Sequence, residues 1–188
     1  NDKMFYYVFS SPIKSITIGD NVIIGDNAFA NASSVESVTL GANAKIGYMA
    51  FYNNQSLKNI DLSKVLEIGD YAFSGDVYYV CYDQNMQYYV VTSDGNYIYS
   101  YYSPAFESID LSSVTSIGGY SFAYCRDLKN VILGKGITEI PEYAFAGCVA
   151  LDKINSSHIV MIGKYSFMES GIKNIDLSCA STIGEYAF

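Results

Sequence analysis

Residues 68–73 read Ile68-Gly69-Asp70-Tyr71-Ala72-Phe73, and the same pattern returns at 24–29, 46–51, 117–122, 140–145, 162–167 and 183–188. A short motif recurring along nearly a whole chain marks an array of stacked units, and it takes precedence over any single motif in deciding the fold.

Working outward, the unit containing this stretch places apolar residues at Leu57, Ile60, Leu62, Ile68 and Phe73. The preceding units do so at Ile13, Ile16, Ile18, Ile24, Phe29 and at Val35, Val38, Leu40, Ile46, Phe51, a period of 22 residues. Later units begin at Phe106, Leu128, Leu151 and Ile172, which predicts seven units starting at 13, 35, 57, 106, 128, 151 and 172. Ser156 stands where an aliphatic residue is expected. The alternation Ile60-Asp61-Leu62 has the period of a half-buried strand. Gly69-Asp70 suits a turn whose Asp caps a brief helical turn that returns Phe73 to the core. Five large side chains do not offset the entropy of ordering a whole unit, so the units must stack. The expectation is a β-rich α/β solenoid of seven units with a parallel sheet.

A second column supports that register. The residue after each unit's first apolar position is Lys14, Glu36, Lys58, Glu107, Lys129, Asp152, Lys173, alternating in sign throughout. In-register stacking gives each charge opposite neighbours, a small favourable effect. The alternation crosses from Lys58 to Glu107, predicting that the units starting at Leu57 and Phe106 are direct neighbours in the stack, with those two strands paired, although 27 residues beyond one period intervene. Within that insertion, 79–105, three strand-like runs flank Asp94-Gly95, a hairpin signal, and predict a small antiparallel β meander. Met4 to Pro12 resembles Tyr97 to Pro104, so both ends read as cut from a longer chain.

Composition excludes several classes. Half the residues are hydrophobic, and 11 Lys and Arg stand against 19 Asp and Glu for a net charge of −8. Nucleic acid is therefore not expected as a partner, nor an anionic membrane surface. No apolar run is long enough to span a bilayer, so no direct membrane insertion is expected in this segment. Cys81, Cys125, Cys148 and Cys179 lack metal-ligand spacing, and no metal or other cofactor is expected. Cys125 and Cys148 sit three residues after the motif Phe, where Ala32, Asn54 and Ser170 stand in other units, as in a small buried slot. His158 has no nucleophile pattern around it, so no catalytic residue is assigned and no enzyme is expected. Acids such as Asp26, Asp70, Glu142 and Glu185 read as caps rather than calcium ligands.

Tyr120 to Leu128 (YSFAYCRDL) and Tyr143 to Leu151 (YAFAGCVAL) carry an aromatic-small-Phe core, then a Cys, then a Leu. These stretches resemble the BspA-like leucine-rich repeat surface protein family, and the match covers all seven units. The resemblance implies a leucine-rich-repeat-like stack and a non-enzymatic cell-surface or secreted protein, mainly of host-associated bacteria and some parasitic protists. It also implies adhesion to host or cell-surface proteins, glycans or other cells, with an extracellular or cell-surface location. The alternative is a structural spacer or display stalk.

Two surfaces are candidates for binding. One is the outward strand column, with Thr39, Asp61, Asp110, Asn155 and Asp176. Such faces serve solenoids in extended recognition. The other is the insertion, with Tyr79, Tyr82, Tyr88, Tyr97, Tyr99 and Tyr101, since tyrosine offers large contact area at low entropic cost. A last unit without a successor leaves an apolar face open, which predicts end-to-end self-association through the repeat ends.

Overall fold

The computed structural model describes residues 12–78, 90–91, 97–98 and 100–188. In chain order its strands are β1 (Ser15–Ile18), β2 (Ile23–Ile24), β3 (Ser37–Leu40), β4 (Lys45–Ile46), β5 (Asn59–Ile60), β6 (Glu67–Ile68), β7 (Asp76–Tyr78), β8 (Val90–Val91), β9 (Tyr97–Ile98), β10 (Ser100–Tyr102), β11 (Ser108–Leu111), β12 (Ser116–Ile117), β13 (Asn130–Leu133), β14 (Glu139–Ile140), β15 (Lys153–Ile154), β16 (Met161–Ile162) and β17 (Thr182–Ile183). They form a parallel β-solenoid of about six turns. Each full turn supplies a first strand with an alternating burial pattern and a second strand that contains the motif Ile.

Register follows the period. Ser15 to Ile18 lie opposite Ser37 to Leu40, and Ser108 to Leu111 opposite Asn130 to Leu133. The second strands order as β12-β6-β4-β2 and β14-β16-β17. Between the strand columns the apolar positions converge: Leu57, Leu62, Phe73, Leu111, Phe122, Leu128, Phe145 and Leu151 are fully buried. The motif phenylalanines form one file of parallel rings, with centroids 5.3 Å apart from Phe29 to Phe51 and from Phe51 to Phe73, then 5.5 to 5.7 Å from Phe73 through Phe122, Phe145, Phe167 and Phe188. Each interior ring thus has an aromatic face on both sides, the offset geometry that stabilises such pairs.

Two details of the expected architecture are corrected. No helix occurs among the described residues, so the α/β description does not hold. The reason lies in where the amides go. Tyr71 N–H donates to the Gly119 carbonyl and Phe73 N–H to the Ser121 carbonyl, each in the next unit; Tyr143 and Phe145 repeat this with Lys164 and Ser166. Donors that a helix would use within the segment are spent between units. Six units carry both strands, whereas the unit from Ile172 forms only its second strand, so seven equal units are not seen. There Ser156 replaces the ladder: its hydroxyl donates to the Asp176 carbonyl at 2.7 Å and accepts the Asp176 N–H at 3.1 Å.

The motif Gly and Asp also act differently from expectation. Gly69 is not in the left-handed region; a Cβ there would lie 2.8 Å from the carbonyl carbon of Gly47, so the glycine permits close stacking. The left-handed residue is the one after the acid, Tyr71 at φ 56°, with Tyr120, Tyr143, Tyr165 and Tyr186 alike at 53° to 56°. The acid does not cap a helix. Asp26 Oδ1 accepts the Tyr48 N–H at 2.9 Å and Asp70 Oδ1 the Gly119 N–H at 2.8 Å, tying each unit to the next.

The strands starting at Leu57 and Phe106 are not paired as expected. Their units are neighbours, because β6 pairs β12 in parallel and Phe73 stacks on Phe122. Yet the first-strand column divides into β1-β3-β5 and β11-β13-β15, with no pairing of β5 to β11. The insertion leaves and re-enters at this point, where β7 and β10 pair antiparallel, and the returning chain bonds ahead of β5, Ala105 N–H donating to the Leu57 carbonyl at 2.8 Å. Among the described residues, the charge column forms ion pairs at only two of its steps, on either side of the break. Lys14 meets Glu36 at 2.9 Å and Lys129 meets Glu107 at 2.8 Å, whereas Lys58 and Glu107 form no ion pair.

Candidate functional site

The outward face of the first strands is built by alternation, with inward Ile and Leu buried and the intervening positions turned to solvent. Thr17 and Thr39 are exposed and lie opposite each other in β1 and β3, and Ile132 in β13 is 52% exposed.

The acids of the column are fixed by their own turns. Asp61 Oδ1 accepts the Ser63 N–H at 2.9 Å and its hydroxyl at 2.6 Å. The same Asp-Leu-Ser sequence lets Asp110 accept from Ser112 N–H at 2.8 Å and Asp176 from Ser178 N–H at 2.9 Å. For Asp61 and Asp176 such bonds stabilise the carboxylate form. The Ser63 hydroxyl, then its N–H, holds Asp61 below the usual carboxylate range, and the Ser178 N–H does so for Asp176. Asn155 has a different role. Its Oδ1 accepts the Leu133 N–H at 2.6 Å and its Nδ2 donates to the Leu133 carbonyl at 3.0 Å, so an amide side chain continues the β13–β15 pairing beyond Ile154.

Of the five candidates on this face, Asp61 and Asp110 come together. They line a cavity of about 350 Å³ with Ile60, Leu62, Ile109 and Ile132, where the first-strand column divides. Thr39, Asn155 and Asp176 lie elsewhere along the column. In the insertion, Tyr79, Tyr82, Tyr88 and Tyr99 fall outside the described residues. Tyr97 lies in β9 opposite Val91, and Tyr101 in β10 opposite Val77.

A column of residues escaped the sequence reading. Tyr71, Tyr120, Tyr143, Tyr165 and Tyr186 stack on the surface with centroids 4.4, 4.4, 4.6 and 5.3 Å apart. Burial first, then the neighbouring phenols Tyr71 and Tyr143, push Tyr120 up to about 12. The signal was present as a tyrosine at the same motif position in five units.

Two cysteines and the histidine are held in structural contacts, whereas Cys179 is exposed. Cys125 and Cys148 are fully buried, their thiols donating to the Phe73 and Phe122 carbonyls at 3.2 and 3.1 Å. Burial raises both, Cys148 to about 12. His158 Nε2 lies 3.1 Å from the Gly134 carbonyl. Among the described residues, no three of His, Cys, Asp and Glu gather as a metal would require, and no helix is long and apolar enough to cross a membrane.

A family model described as the BspA type leucine rich repeat region matches residues 1–88 and 93–188 in six copies. Among solved structures, the chain is similar to a leucine rich repeat protein of T. pallidum at 22% identity and a TM-score of 0.47, covering 79% of this chain and 69% of that one. It is also similar to a leucine-rich repeat protein from Bacteroides ovatus at 20% identity and a TM-score of 0.41, covering 87% of this chain and about half, 49%, of that one. No curated protein matches.

Proposed function

The chain belongs to the BspA-type leucine-rich repeat family, and from that premise we propose a non-enzymatic binding module, displayed at the cell surface or secreted, that adheres to proteins or glycans. Repeats of this kind supply a protein-binding or structural scaffold, and fold alone does not name a ligand. The observation that carries the reading is the outward sheet face. Its acids are held in place by hydrogen bonds from their own turns, its Thr residues are small and exposed, and Ile132 offers exposed apolar area. Preorganised polar groups around an apolar contact lower the cost of association. The tyrosines of residues 79–105 form a second contact region in this proposal, beside that face.

Capture of extracellular matrix proteins and whole cells by the immobilised chain tests the reading. Thr39→Arg and Ile132→Arg should each reduce capture, and Tyr-to-Ser changes at Tyr97 and Tyr101 should reduce it independently. Equal capture by all four variants would remove both surfaces from the claim.

A spacer or stalk is the second reading, and one observation favours it. The phenylalanine file runs unbroken from Phe29 to Phe188, as a stiff rod requires. A chain that captures nothing, within a protein that binds through a further domain, would support the stalk.

A further inference from the structure

We infer that the gap between β5 and β11 is a docking notch for an extended, lysine- or arginine-bearing segment of a partner protein; this deepens the binding-module reading and rests on it. The first-strand column follows one rule at every other described junction it crosses. Lys14 carbonyl accepts the N–H groups of Glu36 and Ser37, Glu36 carbonyl those of Lys58 and Asn59, Glu107 carbonyl those of Lys129 and Asn130, and Lys129 carbonyl those of Asp152 and Lys153. Between Lys58 and the pair Glu107–Ser108 the corresponding bonds are missing among the described residues. Beyond the bond from Ala105 N–H to the Leu57 carbonyl, the two strand edges therefore face each other without partners among the described residues, and such edges are templates for adding a strand.

The space is adequate and chemically directed. Its volume of about 350 Å³ is some ten times the share of one water, ~30 Å³. Ile60, Leu62 and Ile109 form its floor, and Ile132 extends an apolar shelf into solvent. Asp61 and Asp110 stand over it with one oxygen each committed to its turn, leaving the other carboxylate oxygen for a cation. In a chain of net charge −8, a cationic segment is the complementary one. Main-chain bonds to the two edges would give affinity, and the carboxylates and Ile132 would select side chains.

The probe is the capped hexapeptide acetyl-Thr-Lys-Val-Lys-Val-Thr-amide, titrated to about 1 mM into the isotope-labelled full chain with amide shifts as readout. Shifts should centre on Ile60, Ser108 and Ile109, and the twin peptide with Glu for Lys should bind at least about tenfold more weakly. Ser108→Pro removes an N–H that faces the gap, and of the contacts to β13 only the exposed one from Asn130 Nδ2 to Ser108 Oγ at 3.1 Å, so the fold should persist while peptide binding is lost. Asp61→Asn with Asp110→Asn keeps both turn acceptors and should abolish the preference for the lysine peptide. Absence of shifts at the notch, as when water alone fills it, would overturn the inference, as would unchanged binding by both Ser108→Pro and the Asn pair. Should the proline variant fail to fold, the Asn pair decides. Capture of matrix proteins that depends on Thr39 but survives Ser108→Pro would end this inference and leave the broader reading intact.

Discussion

Tyr143 offers a test in which the sign of a stability difference is inverted from its ordinary direction. At an unremarkable φ, Ala is more stable than Gly by roughly 0.5–1 kcal/mol, because Gly has more freedom to lose. Tyr143 sits at φ 56°. A left-handed conformation costs an L-residue about 1–2 kcal/mol, and Gly escapes this. Replacing Tyr143 by either residue removes two stacks, to Tyr120 at 4.4 Å and to Tyr165 at 4.6 Å. At about 0.5–1.5 kcal/mol each, both variants should fall below the wild type by about 1–3 kcal/mol. Within that loss, Tyr143→Gly should exceed Tyr143→Ala by about 0.5–1 kcal/mol, the difference between relieved strain and added chain entropy. Urea unfolding of both variants measures it. The control is Asp152, exposed and outside the left-handed set, where Ala should lead Gly. If Tyr143→Ala matches or exceeds Tyr143→Gly, the left-handed tyrosine column is wrong.

Three further outcomes are expected. The native chain holds the Tyr120 proton from the ordinary value of 10.0 up to about 12, whereas the unfolded chain releases it near 10, so stability present below pH 10 is lost as pH rises toward 12; urea midpoints of Tyr120→Phe should decline less steeply over that interval. Ser121 and Ser166 bury hydroxyls without a partner in a column otherwise filled by alanine, so Ser121→Ala and Ser166→Ala should each raise the thermal midpoint, against the usual destabilising trend of core substitutions. Iodoacetamide followed by peptide mass mapping should modify exposed Cys179 within minutes and leave Cys125 and Cys148 protected until denaturant is added.

What the sequence revealed was whatever repeats in identity. Ile and Phe recur as themselves, so the 22-residue register, the phenylalanine file and the small slot holding Cys125 and Cys148 were all legible. What it hid was whatever depends on direction. Asp70 as a helix cap and Asp70 as an acceptor for Gly119 look alike on paper, because only stacking shows which N–H lies within reach. The absence of a helix follows from the same uncertainty: Tyr71 and Phe73 amides point to the next unit instead of back along their own. The alternating charges correctly placed the units at Leu57 and Phe106 side by side but could not show that their first strands part. For the candidate site, Asp61 and Asp110 belonged to a longer column, and their convergence on one cavity arises from that parting.

The divided junction also bears on how the array keeps its order. In a linear stack each unit is templated by its neighbour, so order spreads as along a zipper, and the weakest junction sets how far. From Leu57's unit backwards, and from Leu128's unit to Leu151's, both strand columns fasten each junction, and from Phe106's unit to Leu128's the first strands pair. At the divided junction the second strands, the stacked rings and the loop amides hold the units together without first-strand pairing. Local openings that start on one side should therefore halt at this seam, making two cooperative blocks of one continuous coil. A loose seam of this kind can receive an insertion of 27 extra residues without the rest of the coil losing its pitch.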